Sequence, residues 1–210
     1  MIKDIKIGKI TLGMCQTNTY FVYREDLKAA VVFDPADAGK LLYDKITANG
    51  LKVGAIMLTH GHFDHIWGVE ELKEASGAKV YASEDEKDFL LNPKANSSAA
   101  CGRPCTVEPD FLLKDDEVVN ICGIDIRMIK TPGHTVGGCC YYIPEAGFLL
   151  SGDTLFNESV GRTDLPTGSM SELIRSINEK LMLLPGETKV YPGHGPATTI
   201  TYEKEFNPFL

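Results

Sequence analysis

The sequence predicts a mixed α/β chain in which two sheets are covered by helices. Three observations lead there. Short apolar runs alternate with helically spaced apolar positions from end to end, no repeat or low-complexity tract divides them, and the strand-like runs gather in the middle with helical patterns outside. At 210 residues the chain is long enough for one well-buried domain and too short for two, so residues 1–210 are read as a single domain.

Strand candidates at 5–7, 19–23 and 30–33, each bounded by Gly, Asp or Pro, give an antiparallel beginning. Over 37–49 the positions Leu41, Leu42 and Ile46 have helical spacing, and Gly50 supplies the stop. An apolar run at 55–58 follows, then a helix over 66–76. Ser83 followed by Glu86 forms a capping box that marks a short third helix. The stretch 92–110 has no period and the length of a lid. Four short runs at 118–121, 124–129, 139–143 and 148–150 are separated by turn residues. The clearest helix starts at Ser169, where Glu172 completes another capping box. Met170, Leu173, Ile174, Ile177, Leu181 and Leu184 make its apolar stripe, and Pro185 ends it.

Composition narrows the function. Apolar residues make up 43% and charged residues 24%, ordinary globular values, and no stretch approaches the roughly 18 apolar residues of a membrane helix. A net charge of -8 repels a phosphate backbone or an anionic lipid surface, so neither nucleic acid nor membrane is an expected partner. The opening MIKDIKIGKI lacks the apolar core of a secretory signal, which predicts a cytoplasmic protein. Six cysteines without a C-x-x-C pair then predict free thiols.

The chemistry sits in the histidines, of which there are five. The stretch THGHFDH puts His60, His62, Asp64 and His65 just after the apolar run 55–58. Imidazole and carboxylate suit zinc, iron or manganese, and a compact loop at a strand end can aim several at one point. The other two histidines recur in one setting: His134 in TPGH and His194 in PGHG, each a short strand running into Pro-Gly and then histidine. A fourth strand end, 148–150, leads through Ser-Gly to Asp153. Seven nitrogen and oxygen donors exceed the needs of one tetrahedral ion and suit two ions sharing a carboxylate.

These motifs resemble the metallo-β-lactamase-fold hydrolases. THGHFDH is similar to that superfamily's HxHxDH motif, and His134, Asp153 and His194 match its later ligands in order. The stretches SGDTLFNESVGRTDLP and YPGHGPATTI, with EKEFNPFL, look most like the short glyoxalase II group, hydroxyacylglutathione hydrolase-like proteins. The resemblance implies a four-layer αββα sandwich with the site at the edge of its sheets. It implies His60, His62 and His134 on one metal, Asp64, His65 and His194 on the other, and Asp153 bridging. Two divalent ions, zinc before iron or manganese, would lower the pKa of a shared water to about 7, and the hydroxide would attack a small-molecule thioester. Asp64 would ligate a metal and orient the hydroxide or take its proton.

Classical glyoxalase II carries a further helical region that helps hold glutathione, whereas this chain ends 16 residues after His194. It also places a lysine and a tyrosine after the bridging aspartate, where GRTD here offers Arg162 and Asp164 as substrate contacts or as a pair bracing a turn. GRTD also occurs in the related persulfide dioxygenases. By that analogy His60, His134 and Asp153 would hold a single iron. Lactone or other ester hydrolysis is a further possibility within the fold. Zinc β-lactamases with a cysteine ligand do not match, since Asp153 stands at that place, and antibiotic hydrolysis is not expected. Cys101 and Cys105 could form a redox or metal pair near the entrance or be incidental thiols. Trp67 could wall the pocket but is first a core candidate, and Asn96, Ser97 and Ser98 could touch ligand or serve as exposed turn residues.

Overall fold

The computed structural model describes residues 4–210; the first three residues of the segment read as lacking a secretory signal lie outside that range. Strands β1 (Ile5–Leu12), β2 (Thr17–Arg24) and β3 (Ala29–Phe33) form an antiparallel meander. Helix α1 (Gly39–Ala48) crosses to β4 (Lys52–Met57), parallel to β3. The short α2 (Phe63–Ile66) and α3 (Val69–Ser76) then lead to β5 (Lys79–Ser83), and α4 (Lys87–Leu90) precedes β6 (Phe111–Leu113). The second sheet contains β7 (Val118–Ile121), β8 (Ile124–Lys130), β9 (Cys139–Ile143), β10 (Phe148–Gly152), β13 (Lys189–Pro192) and β14 (Thr198–Thr199). A small hairpin of β11 (Leu155–Phe156) and β12 (Ser159–Val160) and helix α5 (Met170–Glu179) separate β10 from β13, and α6 (Ile200–Phe206) follows β14.

Strand alternation builds the layers. Val31, Phe33, Ala55 and Met57 face Ile126, Met128, Tyr141 and Ile143 of the other sheet. Their neighbours Ala30, Val32, Ile56 and Leu58 face Leu42, Ile46, Val69 and Leu72 of α1 and α3, while Cys140, Tyr142 and Leu149 meet Leu173 and Ile177 of α5. The order helix, sheet, sheet, helix is the αββα sandwich expected. Central strands buried on both faces explain why they read as continuous apolar runs. Cys139 and Cys140 point into different layers, as neighbours on a strand must.

Four sequence expectations change. The helix over 66–76 is broken, because Gly68 N–H donates to Pro35 O at 2.8 Å instead of continuing the helical ladder. Ser83 caps nothing: its hydroxyl is buried without a partner, and Glu86 turns inward to other donors. The short helix nevertheless forms, as a 3-10 turn (Glu84–Glu86) running into α4. Helix α5 is capped at Ser169, whose Oγ accepts from Glu172 N at 3.4 Å, but it gives way to a 3-10 turn (Leu181–Leu183) before Pro185, and Met170 is exposed. Finally, Asn96 and Ser98 of the 92–110 stretch are buried. Asn96 Nδ2 donates to Cys105 O, Ser98 Oγ accepts from Cys105 N, and Phe63 N donates to Asn96 O. They brace this segment internally and are not exposed turn residues.

Candidate metal centre

Topology delivers the site. Strand β9 is antiparallel to both β8 and β10, so β8 and β10 run the same way, and β13 is parallel to β10. The chain therefore leaves β8, β10 and β13 at one edge, which puts His134, Asp153 and His194 together. Cross-sheet bonds hold the start of β2 and the segment after β4 at the same edge: Cys139 N donates to Thr59 O at 2.9 Å, and Asn18 N to Gly193 O at 2.7 Å.

Six of the seven predicted donors fall in two groups. His60, His62 and His134 present ring nitrogens within 4.8 Å of one another, as do donor atoms of Asp64, His65 and His194. His62 Nδ1 lies 2.9 Å from His134 Nε2. Asp153 stands between the groups. Its Oδ2 is 3.7 Å from His134 Nε2 and 3.5 Å from His194 Nε2, and its Oδ1 is 3.3 Å from His65 Nε2. Close approach is possible because the neighbouring residue is Gly193, where a Cβ would lie 2.4 Å from Asp153 Oδ1.

Hydrogen bonds fix which ring nitrogen is free. His65 Nδ1 donates to Asp34 Oδ2 at 3.0 Å, and His134 Nδ1 donates to Arg162 O at 2.7 Å. Thr59 Oγ1 donates to Asp34 Oδ2 at 2.7 Å and so accepts from His60 Nδ1 at 3.0 Å. The opposite atoms, His60 Nε2 and His65 Nε2, are buried without hydrogen-bond partners, as are His62 Nε2 and Asp153 Oδ1. Buried polar atoms left without partners among these donors are costly unless a cation meets them, so the donor set fits divalent metal.

Charge divides the two groups. Burial keeps His60 and His62 neutral, His62 falling to about 3. Burial also opposes charge on His65 and His194, but Asp153 and Asp64 outweigh it, holding His65 well above the ordinary imidazole value and His194 at about 9. Against burial, His65 and His194 bring Asp64 down to about 2.

His62, Asp64, His134, Asp153 and His194 line a cleft of about 420 Å³ with Cys15, Phe63, Phe156, Val160, Leu165 and Arg162. Arg162 reaches the rim, where its guanidinium grips Asp164 through two bonds of 2.7 and 2.6 Å; Asp164 is not among the lining residues. Neither Trp67 nor the 92–110 segment lines the cleft. Trp67 is buried beside Phe63, its ring 4.7 Å away, and donates Nε1–H to Arg103 O. Cys101 and Cys105 are free thiols, Cys105 packed against the helix-side core.

A family model described as the metallo-beta-lactamase superfamily matches residues 12–194. The chain belongs to that superfamily. It is a metal-dependent hydrolase of the metallo-beta-lactamase fold. It is 38% identical to the probable metallo-hydrolase YqgX of Bacillus subtilis, over 98% of each chain, and 33% identical to the hydroxyacylglutathione hydrolase GloC of Haemophilus influenzae, again over 98% of each. Among solved structures, BLEG-1 B3 metallo-beta-lactamase superposes with TM-score 0.92 at 40% identity, covering 97% of this chain and 99% of that one. A di-iron-bound form of TTHA1623 gives 0.84 at 36%, covering 97% and 100%. ETHE1 from Myxococcus xanthus gives 0.78 at 27%, covering 97% and 83%.

Sequence reasoning missed Asp34, Thr17 and Cys15 in this superfamily site. Asp34 carried a signal, since it follows an apolar strand as Asp153 does. Thr17, whose hydroxyl donates to Asp64 Oδ2 at 2.9 Å, and Cys15 carried none.

Proposed function

We propose that the chain is a binuclear metallohydrolase cleaving thioesters of the hydroxyacylglutathione type, its cofactor two divalent ions, zinc first with iron or manganese as substitutes. The observation that carries this reading is Asp153, whose Oδ2 lies 3.7 Å from a histidine of one group and 3.5 Å from a histidine of the other. On this reading His60, His62 and His134 hold one ion, Asp64, His65 and His194 the second, and Asp153 both. When bound, such ions would acidify water to a pKa of about 7 and polarise an acyl carbonyl.

The chain's own groups do the rest. Asp64, oriented by the Thr17 hydroxyl and kept ionised, can ligate an ion or take a proton from water. Phe63, Phe156, Val160 and Leu165 shield the reacting carbonyl from bulk water. Arg162 at the rim offers a bidentate partner to a carboxylate on the thiol carrier once it releases Asp164. A departing thiolate needs little protonation, since a free thiol has a pKa of about 8.5. GloC at 33% identity supports this substrate class. The net charge of -8 supports a small-molecule partner over nucleic acid or membrane, and among the described residues no helix is long and apolar enough to cross a membrane. The test is thiol release from a hydroxyacylglutathione panel by the metal-loaded enzyme, which a chelator should abolish.

Two specific observations favour other substrates. The ETHE1 match at 27% and the GRTD stretch support persulfide oxidation by one iron on His60, His134 and Asp153, which oxygen uptake with glutathione persulfide measures. The BLEG-1 match at 40% supports β-lactam hydrolysis, an activity ranked below the others from the motifs alone, which a chromogenic cephalosporin measures. Thioester turnover well above both other activities is the expected result; a panel in which either of the others dominates overturns the thioester reading.

A further inference from the structure

Behind the three-histidine group lies a buried carboxylate that no step above uses. Glu86 ends the 3-10 turn (Glu84–Glu86), and only 1% of it is exposed. Its Oε1 accepts from Gly61 N at 2.9 Å; its Oε2 accepts from Gly137 N at 2.8 Å and from Thr135 Oγ1 at 3.0 Å. Gly61 lies between His60 and His62, and Thr135 and Gly137 lie just after His134. One side chain therefore ties together the two loops that carry this group, loops whose facing histidines, His62 and His134, are 72 positions apart. Its bonds end on Gly61, Thr135 and Gly137; the His194 loop is not touched, and Asp64 and His65, three and four positions after Gly61, sit on α2 and not on the bonded loop.

Packing reinforces the tie. A Cβ on Gly137 would lie 2.2 Å from Glu86 N, so that loop rests on the turn itself. The next helix continues the support, with Phe89 of α4 edge-on to the His62 ring at 5.3 Å. Gly61 and Gly137 are both buried, so each amide depends on the carboxylate as its acceptor.

We propose that Glu86 is a positioning residue that sets the metal affinity of the His60, His62 and His134 group separately from that of its neighbour, which makes the two ion positions unequal; this rests on the two-subsite reading above. Partners that orient ligands from behind are worth about 10–100-fold in metal affinity. Glu86→Gln preserves volume, and its oxygen can still accept from Gly61 N–H, but its amide then confronts Gly137 N–H donor to donor. Thr135→Val removes one donor and leaves the carboxylate in place, a milder probe of the same tie.

The experiment is a Co2+ titration of metal-free protein, followed by calorimetry and by visible absorption, with His62→Ala and His194→Ala as spectral references. Wild type should take up two ions. Glu86→Gln should keep one at wild-type affinity, lose at least about tenfold on the other, and at one equivalent match the spectrum of His62→Ala rather than His194→Ala. Thr135→Val should weaken the same step by less. Wild-type affinities in both variants, or equal weakening of both steps, would overturn the role of Glu86. A wild type that takes up one ion would overturn the two-subsite reading, and this inference with it.

Discussion

Asp34 Oδ2 accepts a hydrogen bond from His65 Nδ1 at 3.0 Å, and the same oxygen accepts from the Thr59 hydroxyl, which in turn takes the His60 Nδ1 proton. One carboxylate that does not line the cleft thereby orients a histidine of each group. Asp34→Asn should reduce the affinity for both ions by about 10–100-fold, readable as competition with a chelator of known affinity. Affinity unchanged at both positions would show that the rings are held by packing alone.

Asp153 stands between the groups, so on the two-ion proposal its removal should be felt at both. Asp153→Ala is expected to lose metal and activity together, measured as metal content against turnover on one preparation. Full metal loading with normal turnover would remove Asp153 from the bridging position.

Burial raises the Glu86 carboxyl from 4.5 to about 7, even against the three hydrogen bonds it accepts. A group raised on folding stabilises the fold fully below its unfolded value, and that stabilisation is lost as pH rises through the folded one. Metal-free wild type should therefore lose stability relative to Glu86→Gln between pH 4.5 and about 7, by at most about 3 kcal/mol. Urea unfolding at both ends of that window, with chelator present, measures it; a constant difference would place the Glu86 pKa near its ordinary value.

The two capping boxes in the sequence should behave differently. Ser169 Oγ accepts from Glu172 N, whereas Ser83 Oγ is buried with no partner. Ser169→Ala should cost about 1 kcal/mol and Ser83→Ala close to nothing, both read from chemical denaturation. Equal losses would mean that the hydroxyls act through packing and not through capping.

That contrast shows what the sequence made legible. The seven donors were readable because each follows an apolar strand in a short motif, and strand direction alone then brings them to one edge. Asp34 sits in the same kind of position, but its meaning depends on His65, which lies 31 positions away, and adjacency in sequence does not reveal it. Ser83 and Glu86 matched the capping pattern. Only the loops packed behind β5 make inward hydrogen bonds the better use of that glutamate. Asn96 and Ser98 misled in a similar way, because polar side chains that satisfy a buried irregular backbone have the same composition as an exposed turn. Strands β6 and β14 and helix α6 are too short to show a period, and contacts with neighbouring elements define them.

Elemental mass spectrometry of protein purified without added metal or chelator tests the two-subsite centre most directly. Close to two ions per chain, largely zinc or mixed zinc and iron, is the predicted result. A single tightly held iron per chain would contradict it and favour oxygen chemistry on His60, His134 and Asp153.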